Sequence, residues 1–116
     1  MADFVRVAST EEIPAGRLKL VDVNGERVAV ANVDGSFYAF SDECTHDGGP
    51  LSDGDLEGEV VTCPWHFSRF NVRTGEIVES PAEEVVAVYD TKVEDGAVFV
   101  GGPKGEGPHP PVEGGP

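Results

Sequence analysis

Residues 44–75, CTHDGGPLSDGDLEGEVVTCPWHFSRFNVRTG, contain both cysteines of the chain and two of its three histidines. They form two short motifs, Cys44-Thr45-His46 and, after sixteen further residues, Cys63-Pro64-Trp65-His66. A ligand pair separated by one or two residues lets one loop direct two side chains at the same metal centre. Two such loops together supply four ligands to one metal site. The pattern therefore predicts that Cys44, His46, Cys63 and His66 bind a metal ion or a metal cluster.

These residues have two other possible interpretations. Taken singly, a cysteine is most often a small buried hydrophobe and a histidine an ordinary surface residue, but that account does not explain the paired pattern. A structural zinc site is the stronger alternative, because zinc also favours two cysteines and two histidines. Zinc fingers usually place two cysteines in one motif and join the histidines to a helix, whereas each motif here mixes Cys with His. A structural zinc site therefore stays the second interpretation of the four motif residues. The third histidine of the chain, His109, lies in the tail and is expected to be solvated.

Outward from this stretch, turn signals divide the chain into short runs of β-branched and aromatic residues. Asn24-Gly25 and Asp34-Gly35 predict two tight hairpins, and Thr74-Gly75 and Asp95-Gly96 predict two more turns. Helical periodicity is missing except for one possible turn at 10–12, after Ser9. The fold class is therefore predicted as all-β. The predicted strands are 4–7, 18–23, 27–33, 37–40, 59–62, 70–72, 77–78, 85–89 and 97–100.

Length and composition predict one domain followed by a tail. The chain has 116 residues, which suits a single hydrophobic core, and 15 Gly and 9 Pro favour turns over long helices. Residues 1–100 are predicted to form the domain. Residues 101–116, GGPKGEGPHPPVEGGP, offer little apolar surface to offset the loss of chain entropy, so they are predicted to be a disordered tail.

The charge of the chain argues against several classes of partner. With 22 acidic and 8 basic side chains the formal charge is -14, so nucleic acid and anionic membranes would be repelled. The N-terminus MADFVRVAST has no apolar signal region and no stretch is long enough for a membrane span, so a cytoplasmic location without a membrane anchor is expected. No G-x-G-x-x-G or phosphate-binding loop is present, so we expect no nucleotide site in this chain and a separate protein as the source of its electrons. We also expect no small-molecule substrate of its own.

The acidic segment between the two motifs is similar to part of a calcium-binding loop. Residues 53–58, DGDLEG, resemble the start of such a loop, but its twelfth position is Pro64 instead of a bidentate glutamate. The segment is therefore predicted to be a solvated acidic turn.

The spacing C-x-H followed by C-x-x-H resembles the signature of the Rieske family, and the similarity continues through residues 46–51 and 70–75. The resemblance implies an antiparallel β-sandwich with a small cluster-binding subdomain and one [2Fe-2S] cluster. It further implies that Cys44 and Cys63 hold one iron and that His46 and His66 hold the other.

Two neutral imidazoles in place of two thiolates leave the oxidised site uncharged, which is why Rieske centres reach about -150 to +300 mV. In high-potential relatives a serine and a tyrosine hydroxyl after the second motif donate to the cluster sulfurs. Those positions are Ser68 and Phe70 here, so one donor is missing and the lower part of the range is expected.

The resemblance also implies a role. The extra cysteine pair and the membrane anchor of high-potential respiratory proteins are absent, and the chain is similar to the soluble ferredoxins that pass electrons from a flavoprotein reductase to a terminal oxygenase of aromatic rings. We therefore expect an electron-transfer component, not an enzyme, with those two proteins as partners. The alternatives are the Rieske-like small subunit of a nitrite reductase, which can lack the ligands, and a zinc-stabilised interaction module.

Overall fold

The computed structural model describes residues 4–45, 48–65, 67–79 and 84–103 of the chain. Twelve short elements lie within these ranges, and all the paired strands are antiparallel. The predicted all-β fold class is confirmed. No helix among the described residues is long and apolar enough to span a membrane.

Six strands form the larger sheet. Their order across the sheet is β1-β10-β9-β4-β3-β2. Their bounds are β1 Val5–Ser9, β2 Leu18–Val23, β3 Glu26–Val33, β4 Ser36–Ser41, β9 Val88–Glu94 and β10 Ala97–Pro103.

Three hairpins of this sheet turn at the dipeptides that the sequence singled out. Asn24, Asp34 and Asp95 have φ values of 54°, 52° and 52°, and the glycine after each of them also has a positive φ. Two successive residues with positive φ define the type I′ turn, whose twist matches that of the flanking strands. The hairpin predictions at 24–25 and 34–35 and the turn at 95–96 are therefore confirmed.

Four shorter strands form a second sheet, inserted between β4 and β9. Their order is β5-β6-β7-β8, so the chain runs as a simple meander. Their bounds are β5 Asp55–Glu57, β6 Val60–Thr62, β7 Arg69–Asn71 and β8 Ile77–Glu79. Of the predicted ligands, Cys44 lies between β4 and β5 and Cys63 lies between β6 and β7.

The core has two parts, one on each face of β3. Alternate residues of this strand point to opposite faces. Ala29 and Ala31 join the part that contains both cysteines, which we call the cysteine core, while Val28 and Val30 join the other part. Because β3 is buried on both faces, it has the continuous apolar run Val28–Ala31 instead of an alternating pattern. The cysteine core also takes Val61 and Phe70 from the smaller sheet and Val72 from the turn after β7, and so joins the two sheets.

A hydrogen bond links β9 to the start of β3. The Tyr89 hydroxyl donates to Glu26 Oε1 at 2.9 Å. Burial of the phenol, and then the hydrogen bond and charge of Glu26, raise the pKa of Tyr89 to about 12. The phenol is therefore protonated and able to donate at neutral pH.

The single helical turn predicted after Ser9 is also present, as a 3₁₀ turn at Thr10–Glu12. Ser9 N–H donates to the Glu12 carboxylate at 3.1 Å, and this bond is the main cause of the lowered pKa of Glu12. Such a reciprocal capping arrangement satisfies donors at the start of the turn.

Most predicted strand ends differ from the structure by one or two residues, and three predicted segments differ in a way that has a physical reason. The acidic segment 53–58 contains the strand β5, because Leu56 packs on the cysteine core between two exposed carboxylates, a pattern too short to see in sequence. The strand predicted at 85–89 is at Val88–Glu94, since its polar second half pairs with β10 through the hairpin at 95–96. The last strand continues to Pro103, three residues into the predicted tail, and residues 104–116 lie outside the described residues.

Candidate metal centre

The two predicted cysteine ligands lie in one part of the core. Cys44 follows β4 and Cys63 follows β6, and their exposed fractions are 2% and 0%. Both belong to the cysteine core, together with Leu51 and Phe70, and no disulfide joins them. The other two predicted ligands, His46 and His66, lie outside the described residues.

The two cysteines begin turns with the same main-chain hydrogen bonds. Cys44 N–H donates to the carbonyl five residues later, that of Gly49, at 2.9 Å, and Gly48 N–H donates back to the Cys44 carbonyl at 2.7 Å. In the second loop Cys63 N–H donates to the Ser68 carbonyl at 2.8 Å and Phe67 N–H donates to the Cys63 carbonyl at 3.0 Å. Each turn is thus closed at the same two positions and presents its cysteine in the same way.

The backbone conformation repeats as well. The fifth residue of each turn has a positive φ, 80° at Gly48 and 67° at Phe67. Glycine adopts this conformation at little cost, whereas a phenylalanine there costs about 1–2 kcal/mol. The rest of the second loop must stabilise that strained residue, and Phe67 is left with a side chain that is 66% exposed.

The first loop packs directly against the second cysteine. A Cβ at Gly49 would lie 2.9 Å from Cys63 Sγ and 3.0 Å from Cδ2 of Trp65, so only glycine fits this position. The backbone of one turn therefore approaches the sulfur of the other without a side chain between them. The missing side chain at Gly49 therefore lets the two loops pack closely at the Cys63 sulfur.

A third segment contacts the first turn. Thr45 Oγ1, beside Cys44 in sequence, donates to the Glu84 carbonyl at 2.5 Å, across 39 residues of chain. Val86, two residues farther, is buried in the cysteine core. The first turn is therefore fixed from two sides, by the second turn and by the segment that leads into β9.

The smaller sheet carries mostly acidic charge. Residues 55–79 contain five carboxylates and two arginines. Arg69 lies between Glu57 and Glu79, at 3.5 and 3.3 Å, and Arg73 contacts Glu59 at 3.3 Å. Both arginines are thus neutralised within the sheet, and the surface around the two loops is left with a negative excess.

Two large aromatic side chains stand out from this acidic surface. Trp65 is 54% exposed and Phe67 is 66% exposed, on either side of position 66 in the second loop. Exposed aromatic side chains that are surrounded by polar or charged residues are typical of a protein-docking surface.

The Gly48-Gly49 pair in the sequence predicts a tight loop whose backbone approaches a cofactor closely, and the short distance from Gly49 to the Cys63 sulfur agrees with a need for glycine there. One buried residue beside the first cysteine was not predicted. Asp42, a carboxylate with no exposed surface, was not noticed, and nothing in its local sequence distinguishes it from the other acidic residues.

Comparison with known proteins bears directly on these loops. Residues 3–90 match the family model described as the Rieske [2Fe-2S] domain, and this range includes both ligand motifs. The chain belongs to the Rieske [2Fe-2S] family. The family assignment implies a [2Fe-2S] cluster.

Several chains that are similar over most of this sequence are ferredoxins of dioxygenase systems. The biphenyl dioxygenase ferredoxin subunit of Pseudomonas sp. (strain KKS102) is 40% identical over 98 residues, which cover 84% of this chain and 90% of that protein. The ferredoxin of carbazole 1,9a-dioxygenase from Nocardioides aromaticivorans superposes with a TM-score of 0.81 at 34% identity and covers 84% of this chain and 95% of its own. A chain in the solved complex of reduced oxygenase and oxidised ferredoxin of carbazole 1,9a-dioxygenase superposes with a TM-score of 0.80 at 36% identity. The match covers 84% of this chain and 91% of that chain. The predicted Rieske-type sandwich with a small subdomain is therefore confirmed.

Proposed function

We propose that this Rieske protein is a one-electron carrier that passes electrons from a flavoprotein reductase to a terminal, ring-hydroxylating oxygenase. The observation that carries the proposal is the pair of matching turns that bring Cys44 and Cys63 together inside one core. Its similarity to ferredoxins of dioxygenase systems, over more than four fifths of the chain, supports the same role. On this proposal the chain does not oxidise a substrate by itself.

The residues present fit a [2Fe-2S] cluster. Cys44 and Cys63 would hold one iron and His46 and His66 the other, as the resemblance of the two motifs to the Rieske signature implies. The two thiols are buried, face one core and are not consumed by a disulfide, and Gly49 leaves space beside one of the sulfurs. When bound, such a cluster supplies reversible one-electron reduction.

The protein holds the two cysteine-containing turns rigidly and surrounds their inner side with apolar side chains. Four main-chain hydrogen bonds fix the two turns, and apolar side chains of both sheets close the inner side. Groups held this firmly move little when the charge of the site changes, which favours fast electron transfer in both directions. Exposure of Trp65 and Phe67 leaves one side of the second loop available to a partner.

The exposed aromatic side chains and the carboxylates of the smaller sheet also indicate where partner proteins bind. We infer that a reductase and an oxygenase bind at the exposed aromatic groups of the second loop, with basic residues opposite the carboxylates of the smaller sheet. The solved complex between an oxygenase and a similar ferredoxin supports the oxygenase half of this inference. Nucleic acid, membranes and a small-molecule substrate are not expected as partners, and a cytoplasmic location stays a prediction.

The proposal is tested by the composition and spectrum of the purified protein. We expect two iron and two acid-labile sulfide per chain, and in the reduced protein an EPR signal of the kind given by mixed Cys and His ligation. A His46→Cys or His66→Cys variant is expected to assemble poorly or to have a lower potential, since a thiolate adds negative charge. One zinc without sulfide would contradict the proposal in favour of an interaction module, and a protein without metal would favour a cluster-free subunit.

A further inference from the structure

A buried carboxylate lies two residues before the first cysteine ligand. Asp42 has no exposed surface, and its Oδ1 accepts a hydrogen bond from Ser52 N–H at 2.7 Å. Its Oδ2 accepts from Arg27 Nη2 at 3.1 Å. Burial of an acidic side chain is costly unless it is paired, so a fixed carboxylate at this depth needs an explanation beyond solubility.

Asp42 closes the first ligand loop at its base. Its carbonyl accepts from Leu51 N–H at 2.8 Å, and its side chain binds the next residue, Ser52, so residue 42 is joined to 51–52 across the loop. The next pair of residues into the loop, Glu43 and Pro50, forms an isolated antiparallel bridge. Cys44 follows Glu43, so these contacts fix the chain immediately before the first cysteine.

The two charges of the Arg27–Asp42 pair are unequally exposed. The side chain of Arg27 is 58% exposed and that of Asp42 is 0% exposed. Water and salt screen the guanidinium strongly, whereas the carboxylate acts through protein, where charges interact over longer distances. The Arg27–Asp42 pair therefore imposes a net negative field on the cysteine core.

We propose that Asp42 is a positioning residue for the first ligand loop and that its buried charge lowers the reduction potential of the site, with Arg27 as a partial counter-charge. This inference rests on the proposed function, because it needs a site that gains an electron. An added electron is repelled by a nearby fixed negative charge and attracted by a positive one. The effect of each residue on the potential thus has a defined sign.

The test uses the cluster-loaded protein and three substitutions. Asp42→Asn keeps the shape and an oxygen acceptor for Ser52 N–H but removes the charge, so the midpoint potential in protein-film voltammetry is expected to rise. Glu43→Gln is the matched control, because it removes the same charge one residue nearer Cys44 but from an exposed side chain. Its rise is expected to be clearly smaller, and Arg27→Gln is expected to lower the potential.

A shift in Asp42→Asn no larger than that in Glu43→Gln would overturn the electrostatic role. An unchanged or raised potential in Arg27→Gln would do the same, and this variant changes an exposed side chain, so it is available even where Asp42→Asn does not fold.

The positioning role has its own measurement, which needs no redox activity. Asp42→Ala removes the acceptor, so exchange of the Ser52 amide hydrogen is expected to accelerate about tenfold or more, while Asp42→Asn stays close to wild type. Equal exchange in Asp42→Ala and wild type would contradict the positioning role. Because this readout is independent of iron and sulfide, failure of the proposed function and failure of this inference give different results.

Discussion

At the scale of single residues, the second loop combines one polar and one apolar residue after its cysteine. Ser68 and Phe70 are both fully buried, and Phe70 lies in the same core as Cys44 and Cys63. The resemblance to high-potential relatives places a tyrosine hydroxyl at the second of these positions. A phenylalanine ring fills the volume but offers no donor, so less stabilisation is available to negative charge on nearby sulfur.

Phe70→Tyr is therefore expected to raise the midpoint potential, because a hydroxyl donor near sulfur stabilises the reduced state. Protein-film voltammetry measures the change. Phe40→Tyr is the control, since Phe40 is equally buried in the cysteine core but belongs to β4 of the larger sheet. A potential that is unchanged or lower in Phe70→Tyr, or raised as much by the control, would contradict the argument.

At the scale of elements, the turn between β7 and β8 joins the smaller sheet to the segment that enters β9. Gly75 N–H donates to the Asn71 carbonyl at 2.7 Å, and the Gly75 carbonyl accepts from Val86 N–H at 2.9 Å. A Cβ at Gly75 would lie 2.2 Å from the Val86 carbonyl oxygen. The turn and the incoming segment are thus held in contact by two backbones, with no space for a side chain.

Gly75→Ala is expected to be more destabilising than the same change at a glycine of equal conformation. Gly16 has the same φ of +84°, but a Cβ there would meet nothing within 4 Å. Gly16→Ala should cost about 1–2 kcal/mol of unfolding free energy from backbone strain alone. Gly75→Ala should cost that and about 1–3 kcal/mol more for the forced displacement of the Val86 carbonyl.

Chemical denaturation of both variants measures the difference. Equal losses of unfolding free energy in Gly75→Ala and Gly16→Ala would show that the contact with Val86 does not hold the turn in place.

At the scale of the whole molecule, the acidic excess is a property of composition that the fold then distributes. The formal charge is -14, and both arginines of the smaller sheet are already paired with glutamates. No basic patch is therefore formed beside the ligand loops by the described residues of that sheet. A partner that approaches these loops meets carboxylates around two exposed aromatic groups.

Electron transfer from the reductase is therefore expected to slow as salt is added, since screening over about 8–10 Å weakens attraction to a basic surface. Stopped-flow rates over a range of ionic strength measure this effect. Reduction by a small uncharged donor is the control and should change little. Protein-to-protein rates that are equally insensitive to salt would leave the charge with a role in solubility alone.

The sequence by itself determined the features that depend on neighbouring residues. Hairpins at Asn24-Gly25 and Asp34-Gly35 were predictable because two successive positive φ values favour those dipeptides, and β2 was predicted with its observed bounds. The paired ligand motifs are also a local pattern, and the cysteine ligands that they predict stay a prediction, although both cysteines lie in one core. The histidine ligands are part of that prediction and are not tested by the described residues.

Only the tertiary structure decided what depends on contacts between distant segments. β5 exists because Leu56 meets a core built elsewhere, and β9 continues through polar residues because β10 pairs with it. Gly49 is required by the sulfur of Cys63, and Asp42 by the amide of Ser52 and the guanidinium of Arg27. Packing and buried charge act across space, whereas a sequence pattern records only what acts along the chain.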